Sequence, residues 1–159
     1  MKLYIKQKIF TWFASYDVFN ENNEIEYRIR GKMDWGRNVD IFKQDGRLVG
    51  NVKQQALAWL TTVHLNLDGQ SIGRVRREWS WFRPKFKVEY NDWQIEGDFL
   101  RFNYVVKDAT GNVIITCQRK WFTIADAYEI DIANHVDPVV ALMMVMAIDL
   151  CLDRSRNNS

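Results

Sequence analysis

Val139-Val140-Ala141-Leu142-Met143-Met144-Val145-Met146-Ala147-Ile148-Asp149-Leu150-Cys151-Leu152 runs fourteen residues with one polar side chain, Asp149. No other segment of the 159-residue chain resembles it, and everything upstream reads as short β-strands. A helix that is apolar on every side must be buried on every side, in a protein core or in a bilayer. At about 1.5 Å per residue this one spans roughly 21 Å. The hydrocarbon layer of a membrane is about 30 Å thick, and Asp149 would be costly within it. Length therefore favours the protein core. Asp137 is a good N-cap residue, and Pro138 falls where the first helical residue lacks an intrahelical partner anyway. After Leu152 the chain turns polar through Asp153, Arg154, Ser155 and Arg156, which predicts a helix over about residues 138–153.

Upstream, from about residue 2 to 134, the period is two. Ile25, Tyr27 and Ile29 point one way while Glu24, Glu26, Arg28 and Arg30 point the other. The same alternation holds for Phe86, Val88 and Tyr90, for Leu100, Phe102, Tyr104 and Val106, and for Tyr128, Ile130 and Ile132. Turn signals divide the runs: Asn22-Asn23, Asp45-Gly46, Asp68-Gly69, Asn91-Asp92 and Thr110-Gly111-Asn112. The pattern predicts about twelve strands and no helix before Pro138. Gly50 and Gly73, each in the strand after an Asp-Gly turn, predict a bulge or bend in two hairpins. A barrel of about eight strands is filled by its own side chains, whereas enclosing a helix about 10 Å across takes roughly eleven or twelve. The fold expected is a single mostly-β domain, an antiparallel barrel of about twelve strands around a C-terminal hydrophobic helix.

Composition sets further bounds. A chain of this length makes one domain and buries enough surface to need no staples. Aromatic residues at 14% and only two prolines argue against disorder. A net charge of +2 is too small to imply a nucleic-acid partner. Cys117 and Cys151 are expected to be separate buried thiols, which favours a reducing compartment. The first ten residues alternate lysine with apolar residues and do not read as a signal peptide. A cytoplasmic location, peripheral to the membrane if lipid is bound, is the expectation.

One order of segments is familiar. Trp93-Gln94-Ile95-Glu96-Gly97-Asp98 is followed by Tyr104-Val105-Val106-Lys107-Asp108-Ala109-Thr110-Gly111 and by Lys120-Trp121-Phe122. Then come Asp126-Ala127-Tyr128-Glu129-Ile130-Asp131-Ile132 and the apolar helix with Ala147-Ile148-Asp149. This order resembles the LURP-one-related family, grouped with the phospholipid scramblases in the tubby C-terminal-like superfamily, and most of all its uncharacterised bacterial members. The likeness covers nearly the whole chain and is sharpest from about Asp92 onward. It implies the same architecture, a β-barrel around a central hydrophobic helix. It also implies a connection with lipid: tubby domains bind phosphoinositides, and scramblases are linked to calcium-dependent lipid movement. The chain has no scramblase-like cysteine cluster or proline-rich tail.

The stretch from Arg74 to Lys87 is the one candidate ligand-binding site. Arg74, Arg76, Arg77, Arg83, Lys85 and Lys87 oppose Glu78 alone, interleaved with Trp79, Trp81, Phe82 and Phe86. Basic side chains at an anionic membrane contribute about 1 kcal/mol each, and tryptophan favours the headgroup level. Ordinary strand chemistry offers a plainer account, with Val75, Trp79 and Trp81 filling the core while Arg74, Arg76, Lys85 and Lys87 cover the solvated face. Arg77 breaks that account by sharing the apolar parity, and is expected to snorkel, pair with an acid or mark a bulge.

Elsewhere the residues speak for structure. Asp126, Glu129, Asp131, Asn134 and Asp137 stand where scramblases carry their proposed calcium segment. Calcium needs six to eight converging oxygens, however, and here two acids alternate outward, one lies in a turn and one is a cap. His64 and His135 belong to no triad or metal-ligand spacing. No catalytic residue, metal site or cofactor is predicted, and an enzyme is not expected. Asp149 is expected near the barrel mouth or against a basic partner such as Arg77 or Arg119. Two functions remain open: a non-catalytic module binding anionic phospholipid headgroups or another polyanion, and a protein-interaction or scaffold domain.

Overall fold

The computed structural model describes residues 1–6, 15–34, 36–55, 60–121 and 126–156. Alternation becomes twelve strands: β1 (Lys2–Ile5), β2 (Ser15–Phe19), β3 (Ile25–Asp34), β4 (Gly36–Lys43), β5 (Leu48–Gln54), β6 (Thr62–Leu67), β7 (Gln70–Glu78), β8 (Lys85–Glu89), β9 (Gln94–Asp98), β10 (Asn103–Lys107), β11 (Val113–Trp121) and β12 (Asp126–Ile132). One helix, α1, follows at Pro138–Arg156. All strands lie in one antiparallel sheet ordered β8-β7-β6-β5-β4-β3-β2-β1-β12-β11-β10-β9. Each strand thus pairs with its sequence neighbours except across the β8–β9 junction, and the first and last pair with each other through Leu3↔Ile130 and Ile5↔Tyr128. The Met1 ammonium donates to the Ile132 carbonyl at 3.1 Å. The barrel is nearly closed; its two sheet ends are β8 and β9, consecutive in the chain.

Period two puts one apolar face inside. Leu3 and Ile5, Tyr27 and Ile29, Val63 and Leu65, Tyr104 and Val106, and Tyr128, Ile130 and Ile132 are all buried. The helix fills the space they line. From Val139 to Leu152 no side chain, Asp149 included, is more than 6% exposed. The length argument for a protein core holds. Asp137 starts the helix as an N-cap: its Oδ1 accepts the Val139 N–H at 2.8 Å, and its carbonyl accepts the Ala141 N–H at 3.0 Å. α1 packs on β4, β5, β6 and β7. Gly50 makes the close approach possible, because a Cβ there would lie 2.8 Å from Val139 Cγ1. Among the described residues no helix is long and apolar enough to cross a membrane.

The expected hairpin irregularities are present as register shifts, between Ile41 and Phe42 in β4–β5 and between Leu65 and Asn66 in β6–β7. Three expectations need correction. The helix runs to Arg156, three residues past the expected end, since polar residues can continue a helix once its apolar part is anchored. The alternation through Leu100 is not a strand: Phe99–Arg101 is a 3-10 turn capped by the Asp98 carboxylate, with Phe102 left-handed. Leu100 therefore faces solvent at 57% exposure, while Phe99 and Phe102 are buried. Finally, Trp79 and Trp81 do not fill the core.

Candidate functional site: a basic and aromatic barrel end

β7 ends at Glu78 and β8 begins at Lys85, just after Pro84, so residues 79–84 form the loop between them. Strand parity has no meaning beyond the last ladder pair, Glu78↔Lys85, because a loop has no inner face. Val75 is fully buried as expected. Trp79, Trp81 and Phe82 instead stand 61%, 78% and 97% exposed. Trp79 and Trp81 contact each other edge to face with ring centroids 4.4 Å apart, a favourable geometry for an aromatic pair.

The register of the sheet shows which other residues share this end of the barrel. Thr62 pairs with Arg76 in β6–β7, and Gln54 with Val63 in β5–β6, which brings Leu60 to the same rim. Asn103 pairs with both Asp98 and Gln118 in the neighbouring ladders, which brings Leu100, Arg101, Arg119 and Lys120 there. Two grooves open on it. One of about 610 Å³ is lined by Leu60, Arg74, Arg76, Arg77 and Trp79, among others. Another of about 640 Å³ is lined by Leu100, Arg101, Asn103, Gln118, Arg119 and Lys120. Of the eight exposed large hydrophobic residues among the described residues, Leu60, Trp79, Trp81, Phe82 and Leu100 lie at this end. Leu60 and Arg101 are not singled out by the sequence, which marks Leu100, Arg119 and Lys120 only as a strand residue, a partner candidate for Asp149 and part of a family-like segment, respectively. They lie far apart along the chain, and only strand register unites them.

The six basic residues singled out from the sequence divide by environment. Arg74 and Arg76 lie on the outer wall and both bind Glu89. Arg74 Nε meets Oε2, and Arg76 Nη2 meets Oε1 at 3.0 Å. The hydrogen bond from Arg74 is the main cause holding the Glu89 carboxyl below its usual range. Arg76 Nε is buried without a hydrogen-bond partner. Arg77 is half-buried at inward parity, and its backbone N–H bonds Thr61 O at 2.9 Å, past the end of the β6 ladder. Its charge reaches the Cys151 thiol. Arg83 and Lys85 are exposed at the loop, and Lys87 on the outer face of β8. Neither Lys85 nor Lys87 has a carboxylate within ion-pair distance among the described residues.

The other singled-out groups have structural surroundings. Glu129 takes Lys2 at 3.4 Å and Lys120 at 3.5 Å. Asp126 is the first residue of β12, paired with Trp121, rather than a turn residue; its side chain lies outside the described set. His64 Nε2 lies 3.5 Å from Gln55 Oε1, and His135 is exposed. Cys117 and Cys151 are free and buried, and burial pushes both thiols up to about 12. Asp149 is buried where its charge adds to the upward push on Tyr104, Cys117 and Cys151.

These features can be set beside known proteins. The Bacillus subtilis uncharacterized protein YxjI is 21% identical over 160 residues, spanning all of this chain and 98% of its own length. A solved Arabidopsis thaliana protein superposes with a TM-score of 0.59 at 13% identity, covering 98% of this chain and 90% of that one, and shows the same fold. The family model described as LURP-one-related matches residues 1–149, and the chain belongs to that family.

Proposed function

We propose that this protein is a non-catalytic module that docks reversibly on anionic membrane surfaces through the barrel end carrying the β7–β8 loop. One observation carries the reading: three aromatics of one loop, Trp79, Trp81 and Phe82, are exposed rather than buried, beside Arg83 and Lys85. Exposed apolar groups of that size on a soluble-sized domain mark an interaction surface. Tryptophan and phenylalanine seat at the headgroup boundary, and the flanking cations supply attraction of about 1 kcal/mol each. Arg74 and Arg76, already bound to Glu89, contribute less than Arg83, Lys85 and Lys87. Burial of both thiols supports the non-catalytic part, since a protonated core thiol is a poor nucleophile. The free cysteines also support a reducing, cytoplasmic setting.

Co-sedimentation with neutral and anionic phospholipid vesicles tests it. The expected result is pelleting that rises with anionic lipid. Arg83→Ala with Lys85→Ala should weaken partitioning about thirtyfold, the equivalent of roughly 2 kcal/mol. Serine at residues 79, 81 and 82 should abolish it. Pelleting indifferent to lipid charge, or none at all, would remove the reading. A second reading, a protein-interaction domain, is favoured by a separate observation: the unpaired seam between β8 and β9.

A further inference from the structure

β8 and β9 are joined by a turn made for a hairpin. Asn91 and Asp92 both take left-handed conformations, with φ of 49° and 54°, and Trp93 N–H bonds Tyr90 O at 3.0 Å. This is the two-residue connection that suits the twist of an antiparallel pair. Continued along the strands, it would set Lys87 opposite Glu96 and Lys85 opposite Asp98. The ladder does not form. Among the described residues β8 pairs only with β7 and β9 only with β10, and a groove of about 530 Å³ lies between them.

The far sides of both strands explain the gap. A Cβ at Gly97 would lie 2.5 Å from Asn103 O and from Tyr104 Cα, so its absence lets β9 press onto β10. The β9 acids are also taken: Lys107 Nζ holds Glu96 at 2.6 Å, and Arg101 holds Asp98 at 3.6 Å. On the other side a Cβ at Gly73 would lie 2.3 Å from Glu89 O, so β8 presses onto β7. Beneath the gap the Phe86 and Phe99 rings meet edge to face at 4.7 Å, and Trp93 and Ile95 also line the groove. Aromatic side chains thus close the core while two backbone edges stay unpaired among the described residues.

We propose that this seam accepts an extended peptide segment of a partner protein, added as a strand along the free edge of β8, with acidic side chains outward and apolar side chains inward. It rests on the second reading above. Strand addition draws its affinity from main-chain hydrogen bonds and its specificity from alternate side chains. The charge pattern selects the occupant. Lys85 and Lys87 face outward and form no ion pair among the described residues, with Glu78 across the ladder from Lys85 and Glu89 feeling the Lys87 charge while bound by Arg74 and Arg76. By contrast β9, which carries acids at the matching positions, is committed to β10. A suitable guest repeats the β9 pattern: acids two residues apart, with an apolar residue between. Lysines on an edge also discourage β8 of a second copy, by like-charge repulsion.

The probe is a capped heptapeptide alternating glutamate with valine, titrated by fluorescence anisotropy against the full chain. Saturable binding is expected, with slowed amide exchange at residues 85–89. Replacing the glutamates by lysine, or N-methylating the amides that would face β8, should each weaken it at least tenfold. The Lys85→Glu, Lys87→Glu double variant should reverse the charge preference. Serine at Trp81 and Phe82 should leave peptide affinity within twofold while vesicle binding falls, so this reading and the membrane reading fail independently. Absent binding, or binding that survives N-methylation, would overturn the proposal. So would a dimer that protects residues 85–89 without peptide, which would make a second copy the occupant.

Discussion

At the scale of single residues, the two thiols show how burial sets chemistry. Cys117 and Cys151 sit in strand β11 and in helix α1 respectively, both buried, and both are pushed up to about 12, chiefly by burial. Asp149 adds to the push, and the Arg77 guanidinium offsets part of it at Cys151. The sign of the linkage follows. An acid whose folded value lies above its unfolded value keeps its proton longer when folded, so its contribution is full below the unfolded value, near 9. That contribution is then lost as pH rises towards about 12. Urea midpoints should fall progressively above about pH 9, on the order of 1 kcal/mol per pH unit for each thiol. Alanine at both cysteines should flatten that slope. A slope unchanged in the double variant would assign alkaline loss to other groups, Tyr27 and Tyr104 first.

Among elements, α1 meets β5 closely enough to leave no room for a side chain at Gly50. Helix and sheet ordinarily hold each other off by their side chains, and here Gly50 removes one of them. Val139 Cγ1 and Met143 Sδ occupy the space its Cβ would take, at 2.8 and 3.3 Å. Valine at residue 50 suits a strand by propensity, so a local account expects little harm from it. The packed interior predicts the opposite: Gly50→Val should destabilise by about 1–3 kcal/mol, through overpacking against the helix. Urea denaturation checks it. A neutral result would show that α1 can move outward, and would weaken the case for a filled barrel. The same glycine read from sequence alone suggested only a bulge. The bulge exists one register step away, at Ile41 and Phe42, but the packing contact was invisible there because the helix lies about ninety residues downstream.

For the whole molecule, topology matters more than strand count. The terminal strands β1 and β12 are knitted together, and the break in the ring falls inside the chain, at the turn of Asn91 and Asp92. A protease site inserted in that turn would cut where no strand ladder crosses. After cleavage the two fragments should remain associated on size-exclusion chromatography, held by the β1–β12 pairing and the enclosed helix. Their separation would show that the β8–β9 connection, rather than the core, holds the two sides of the seam. The barrel is also polar along its axis in a sense that composition hides. A net charge of +2 is spread over the whole chain, yet five of the eight exposed large hydrophobic residues among those described gather at one end with Arg77, Arg83, Arg101, Arg119 and Lys120.

What the sequence determined by itself was everything local periodicity can encode. Alternation from Lys2 to Ile132, turn pairs such as Asp45-Gly46, and fourteen residues of near-continuous apolar helix led to about twelve strands around a buried rod, because burial follows side-chain period. It also picked out Arg74 to Lys87 as unusual. Which of those side chains are available was decided only by tertiary structure. Trp79 and Trp81 keep strand parity in the sequence but lie beyond the last ladder pair, where parity no longer assigns an inside. Glu89, adjacent to Arg74 and Arg76 only through register, takes up two of the six cations. The open seam was equally unreadable: Asn91-Asp92 announces a hairpin, and only the competing pull of β7 and β10 on either side, across Gly73 and Gly97, keeps its strands apart.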